Sequence, residues 1–171
     1  GPVNDIEYRP DGKTIASAGA DGLAIVWSNL SGGNFVNVKH RAGVSSVHYS
    51  PDGRYLLTAS QDGSAKVTNA DTDSDVITIY HEDWVEDAVF SADGMLVATA
   101  SDDYTVRLWN LATLKEIARM RHTDFVNYVA FSPDNKWLAT ASKDGTVRLW
   151  SATSGQLAAV MPLESPASKI S

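Results

Sequence analysis

The chain contains no cysteine. That excludes disulfide staples, a thiol nucleophile and any thiolate metal site, and it suits a reducing compartment. Long hydrophobic runs are missing too. No stretch approaches the ~18 apolar residues of a membrane-spanning helix, and none reads as a signal peptide, so a cytoplasmic setting is the expectation. Positive charge is in deficit: Lys and Arg number 14 against 21 Asp and Glu, a formal net charge of -7. Nucleic acid needs clustered Lys and Arg, so it is excluded as a partner, as is a membrane surface. Helical patterning is also lacking, because no apolar-periodic run reaches the ~10 residues that a helix needs.

What is present is a unit of 41 residues, repeated four times. Val3, Val44, Val85 and Val126 open the copies. A turn triplet follows at a fixed place: Pro10-Asp11-Gly12, Pro51-Asp52-Gly53, Ala92-Asp93-Gly94 and Pro133-Asp134-Asn135. A second turn carries Asp21-Gly22, Asp62-Gly63, Asp103-Tyr104 and Asp144-Gly145. Six residues beyond that Asp stand Trp27, Thr68, Trp109 and Trp150. Between the turns lie short runs of alternating or β-branched apolar residues, such as 85–90, 96–100, 105–109 and 115–120 in the third copy. Each copy therefore reads as four short strands joined by tight turns. Four antiparallel strands in about 40 residues make one blade of a β-propeller.

The Ser-Pro-Asp-Gly turn, the Thr-Ala-Ser-x-Asp-Gly turn and Thr-Val-Arg-Leu-Trp recur together at one spacing. In these features the chain resembles the WD-repeat β-propellers over residues 3–166. The blades are expected at 3–43, 44–84, 85–125 and 126–166. Gly1-Pro2 resembles the remnant of a cleaved tag, and 167–171 form a polar tail. The Asp that follows Trp in the family is replaced by Ser28, Asn69, Asn110 and Ser151, a change that a strand end tolerates.

The resemblance implies a hydrogen-bonded tetrad of His, Ser or Thr, Asp and Trp in each blade. His81, Thr99, Asp103 and Trp109 fit it in the third blade, and His122, Thr140, Asp144 and Trp150 in the fourth. Blade two has His40, Thr58 and Asp62 but Thr68 in place of Trp; blade one has Ser17, Asp21 and Trp27 but no preceding His. Asp, His and a hydroxyl invite comparison with a hydrolase triad. Here they recur once per blade, which is how a structural device behaves. No catalytic residue, enzyme activity or cofactor is expected.

One metal motif needs the same weighing. Asp71-x-Asp73-x-Asp75 with Glu82 matches the acidic spacing of an EF-hand calcium loop, but Val76 stands where that loop needs Gly and the repeat makes 76–80 a strand. A solvated acidic hairpin is the expectation, with Asp71, Asp73 and Asp75 a weak calcium candidate at most.

Function is then expected on a surface. The resemblance implies a rigid platform whose binding face is made by the loops leading into the innermost strands. Trp84, Glu86, Phe125 and Asn127 flank the opening valines there, and Gln61, Asp102 and Lys143 precede the turn aspartates. Aromatics ringed by polar groups are what interface hot spots are made of. The expected role is a non-catalytic scaffold that binds a protein or peptide; the alternative is a self-assembling half-propeller, excised or engineered, whose only partner is itself. Four complete blades would leave an apolar face at each end. A face on the order of 500 Å² forfeits about 12 kcal/mol at about 25 cal/mol/Å². A homodimer closing an eight-bladed ring, at about 45° per blade, would hide both faces.

Overall fold

The computed structural model describes residues 1–28, 34–72 and 74–163. The first blade consists of β1 (Val3–Tyr8), β2 (Thr14–Gly19), β3 (Leu23–Ser28) and β4 (Asn34–Lys39). The second has β5 (Val44–Tyr49), β6 (Tyr55–Ser60), β7 (Ser64–Asn69) and β8 (Asp75–Tyr80). The third has β9 (Val85–Phe90), β10 (Leu96–Ser101), β11 (Thr105–Asn110) and β12 (Lys115–Arg121). The fourth has β13 (Val126–Phe131), β14 (Trp137–Ser142), β15 (Thr146–Ser151) and β16 (Leu157–Pro162). Each sheet is antiparallel and pairs its strands in sequence order. The innermost strands β1, β5, β9 and β13 pack in succession around a common axis.

Local chemistry makes the turns. In the second blade the Ser50 hydroxyl donates to Asp52 Oδ1 at 2.6 Å and accepts the Tyr55 amide at 2.9 Å, while Asp52 accepts the Arg54 amide. Ser91–Asp93 and Ser132–Asp134 repeat this arrangement. The following residue sits in the left-handed region, and two blades break the glycine habit there or at the second turn. Asn135 has φ 58°, and Tyr104 has φ 69° where the other blades place Gly22, Gly63 and Gly145.

The core lies between blades. Ala16, Ala18, Ala24, Val26, Val36 and Val38 of blade one pack against Val44, Val47, Tyr49 and Leu56 of blade two. Leu57, Ala59, Ala65, Val67 and Ile79 then meet Val85, Ala88 and Val97 of blade three. Ala98, Ala100, Val106, Leu108 and Met120 meet Val126, Val129, Leu138 and Trp150 of blade four. Side chains alternate across a strand, so each sheet offers one apolar set forward and another backward.

At the two ends of the arc the same positions are open. Val44, Val85 and Val126 are fully buried, whereas Val3 is 62% exposed, as are Ile6 and Tyr8 to a similar degree. On blade four, Leu157, Val160, Met161 and Leu163 are exposed. Tyr8 holds the repeat position of Tyr49, Phe90 and Phe131. It has no blade against it among the described residues.

Candidate interaction site

Each innermost strand opens with a β-bulge. The pairing shifts between Val3 and Asp5, between Val44 and Ser46 and between Val126 and Tyr128, and in blade three Val85 pairs with Ser101 out of step with Asp87–Ala100. The extra residues are Asn4, Ser45, Glu86 and Asn127. A bulge re-aims a side chain, and all four line one open polar cavity of about 580 Å³ on the axis, together with Asp5, Ser46, His48, Gln61, Asp87 and Tyr128. Within it Ser45 Oγ, Ser46 Oγ and Asn127 Oδ1 are buried without a hydrogen-bond partner among the described residues. Unpaired buried polar atoms cost free energy, and a polar ligand or water would relieve them.

Burial alone would lower the His48 imidazole. The carboxylates of Asp87 and Glu7, 3.8 and 3.6 Å from its two ring nitrogens, outweigh burial and push it up to about 10. His48 is therefore a cation on the cavity wall at neutral pH, tying blade two to its neighbours.

The two loop aromatics part company. Trp84 is 47% exposed. Phe125 is half-buried: Tyr104 lies against its ring at a centroid separation of 5.6 Å, and Lys143 Nζ sits 4.7 Å above it. Phe125 thus packs over its neighbouring loop, and Trp84 remains the open ring. Burial pushes the Glu86 and Asp102 carboxyls up; Asp102 and Asp83 add to the rise at Glu86, and Lys143 opposes it at both. Asp102 Oδ1 is also buried without a partner among the described residues. Tyr104 was missed in the sequence as a member of this face. Its signal was the absence of glycine from a turn that demands positive φ.

The tetrad positions form graded networks. In blade four His122 Nδ1 lies 2.9 Å from Asp144, its Nε2 lies 2.7 Å from the Thr140 hydroxyl, and Trp150 Nε1 donates to that hydroxyl at 2.9 Å. With Nδ1–H donating to the carboxylate, Nε2 accepts the threonine proton, so every polar atom of the chain is used. In blade three His81 bonds Asp103 at 2.8 Å and Thr99 at 2.7 Å. Trp109 does not join them: its Nε1 has no partner among the described residues. The third-blade tetrad expected from the resemblance is therefore a triad, with Trp109 acting as packing against the blade-two face. In blade two His40 reaches Asp62 at 3.2 Å and Thr58 at 2.8 Å, and Thr68 turns to the Leu56 carbonyl. In blade one Trp27 donates to Ser17 at 2.8 Å.

A hydroxyl two residues past the turn Asp of blades two, three and four was also missed. Ser64, Thr105 and Thr146 each donate to the carboxylate at 2.5–2.6 Å. Burial pushes these carboxyls up, but the hydrogen bonds win. Asp62 falls to about 2, and Asp103 and Asp144 lie well below the ordinary range. Burial lowers His40, His81 and His122 despite their carboxylate partners.

Asp71 is engaged by Arg9, whose Nη1 lies 2.6 Å from Oδ1. Asp75 pairs with Thr68 at the start of β8, one residue earlier than the sequence placed that strand. Asp73 lies outside the described residues, as do 164–171. Among the described residues no group of three His, Asp or Glu side chains could hold a metal ion.

A comparison with curated proteins found no match. The family model described as "WD domain, G-beta repeat" matches residues 1–28, 33–69, 74–110 and 114–151. Proteins built from such repeats are in general non-catalytic interaction scaffolds. With four consecutive repeats matched and four four-stranded antiparallel blades in place, the chain belongs to the WD domain, G-beta repeat family.

Proposed function

We propose that this scaffold binds an extended protein or peptide segment across the loop face, without catalysis. Trp84 is the anchor, and the segment's polar groups meet Glu86, Asn127, Gln61 and Asp102 at the cavity mouth. Lys143 and Phe125 form the wall beside them. The observations that carry this reading are the open Trp84 ring, two residues before the cavity-lining Glu86, and the unsatisfied polar atoms of Ser45, Ser46 and Asn127 in that cavity. A half-buried aromatic next to unpaired donors and acceptors is the composition of an interface hot spot. Selection from a displayed peptide library, followed by fluorescence polarisation with the winning peptides, tests it. Trp84→Ala is expected to weaken binding at least tenfold. Peptides that bind the variant as tightly as the parent, or no selected binder at all, would overturn the reading.

A second reading is favoured by a separate observation. The exposed Val3, Ile6 and Tyr8 at one end, and Leu157 and Met161 at the other, are apolar faces of a kind that soluble monomers rarely display together. Self-assembly of the chain as a half-propeller would cover both. The two readings are compatible, because the anchor Trp84 lies between blades two and three and not on either end face.

A further inference from the structure

The end faces are two halves of one interface that the chain already forms three times. The forward faces of blades one to three carry Ala16, Ala18, Ala24, Val26 and Val38, then Leu57, Ala59, Ala65, Val67 and Ile79, then Ala98, Ala100, Val106, Leu108 and Met120, all buried. The 41-residue period puts Ala139, Ala141, Val147, Leu149 and Met161 at those positions on blade four. None of the five is buried, and a shallow apolar hollow opens over Ala139, Ala141 and Val147. The backward positions filled by Val44, Val47 and Tyr49 on blade two are Val3, Ile6 and Tyr8 on blade one, all exposed.

A connector points the same way. Asn4 Nδ2 donates at 2.8 Å across the blade boundary to the carbonyl of Val44, the residue that opens the next blade. Asn127 holds the matching place on blade four, where its Nδ2 has no next-blade carbonyl to donate to among the described residues. A third sign lies at the tetrad position. His40, His81 and His122 each donate their amide to the preceding blade's turn carbonyl and present an imidazole to the next blade. Leu163 makes the same amide bond, to Gly145 at 2.7 Å, but presents an exposed apolar side chain. Blade one is the blade whose Ser17–Trp27 pair has no histidine.

From this matching we propose that a second copy of this chain docks head to tail. Blade four of each copy packs on blade one of the other, Asn127 donates to the partner's opening carbonyl at Val3, and Leu163 covers the Ser17–Trp27 pair. Tyr128 and Ala130 stand where Asp5 and Glu7 reach forward on blade one, so this junction is more apolar than the internal ones. Two such junctions close a ring of two-fold symmetry and turn the axial cavity into one shared by both copies.

The inference rests on the self-assembly reading, and light scattering after size exclusion separates the two. The parent chain is expected at twice its 18.4 kDa mass. Ile6→Lys and Met161→Lys sit on exposed positions and should fold, which circular dichroism checks. Each alone is expected to yield monomers, and an equimolar mixture of the two is expected to recover a dimer, because one junction is then intact. Asn127→Ala is expected to raise the dimer dissociation constant about tenfold. A monomeric parent would sink both the self-assembly reading and this junction. A parental dimer that Met161→Lys leaves intact would spare self-assembly and overturn the head-to-tail junction. An open polymer would overturn the two-fold closure.

Discussion

Replacing the turn aspartates one at a time should grade the blades. The Asp144 carboxylate lies 2.9 Å from His122 Nδ1 and accepts the Thr146 hydroxyl at 2.6 Å, the Thr146 amide at 2.9 Å, the Thr123 amide at 3.1 Å and Arg148 Nη2 at 3.1 Å. Its side chain is 4% exposed, and that of His122 is wholly buried. Asp144→Ala leaves the imidazole N–H stranded, a penalty of about 1–3 kcal/mol. The loop amides and Arg148 can turn to water, so they add roughly 1 kcal/mol together. The expected loss is about 3 kcal/mol. Asp103 lacks the arginine partner and should cost slightly less. Asp62, 10% exposed and with its histidine at 3.2 Å, should cost about 2 kcal/mol. Asp21 is the internal control: it accepts the Leu23 amide at 3.2 Å and is largely exposed, so Asp21→Ala should stay within about 0.5 kcal/mol. Urea denaturation with unchanged slope reads these differences directly. If Asp62→Ala cost as much as Asp144→Ala, or Asp21→Ala cost as much as either, the assignment of stability to these buried networks would be wrong.

Other outcomes can be stated more briefly. The network histidines have lowered folded values, so their contribution is present at neutral pH and is lost as pH falls below about 6.5; the aspartates are lowered as well, and theirs is lost only as pH falls from 3.8 through about 2 at Asp62. His48 is raised, so its contribution holds below about 6.5 and disappears as pH rises through about 10; His48→Gln should flatten the alkaline limb of a plot of denaturation midpoint against pH, and an unaltered limb would count against the Glu7–His48–Asp87 bridge. Trp150→Ala should lose about 3–5 kcal/mol from the buried blade-three/four layer, measured by thermal or chemical unfolding. Calorimetric titration should detect no calcium binding tighter than about 10 µM, since Arg9 already occupies Asp71. Tyr104→Gly should relieve a backbone strain of about 1 kcal/mol while loosening Phe125, so a variant less stable than the parent would mean that the Tyr104–Phe125 contact outweighs the strain.

The strands were legible because alternation and turn chemistry repeat. In blade three the sequence runs 96–100 and 105–109 became Leu96–Ser101 and Thr105–Asn110. The Thr and Asp partners of His81 and His122 were legible through the resemblance, which assigns those residue types to fixed places in each blade. What failed depended on neighbours rather than spacing. Trp109 and Trp150 occupy one repeat position, yet only Trp150 reaches its threonine, while Trp109 packs against the blade-two face. Phe125 and Trp84 also share a position. Phe125 is covered because the loop beside it carries Tyr104 and Lys143, and the period says nothing of such companions.

Among the described residues no blade has a core of its own, and the three buried apolar clusters lie in the seams between sheets. Stability in this molecule is therefore counted in seams and not in blades. A single excised blade would have nothing to fold around, and the smallest unit able to fold is a pair. In the monomeric Ile6→Lys and Met161→Lys variants, blades one and four have one seam each and should exchange their amide protons soonest.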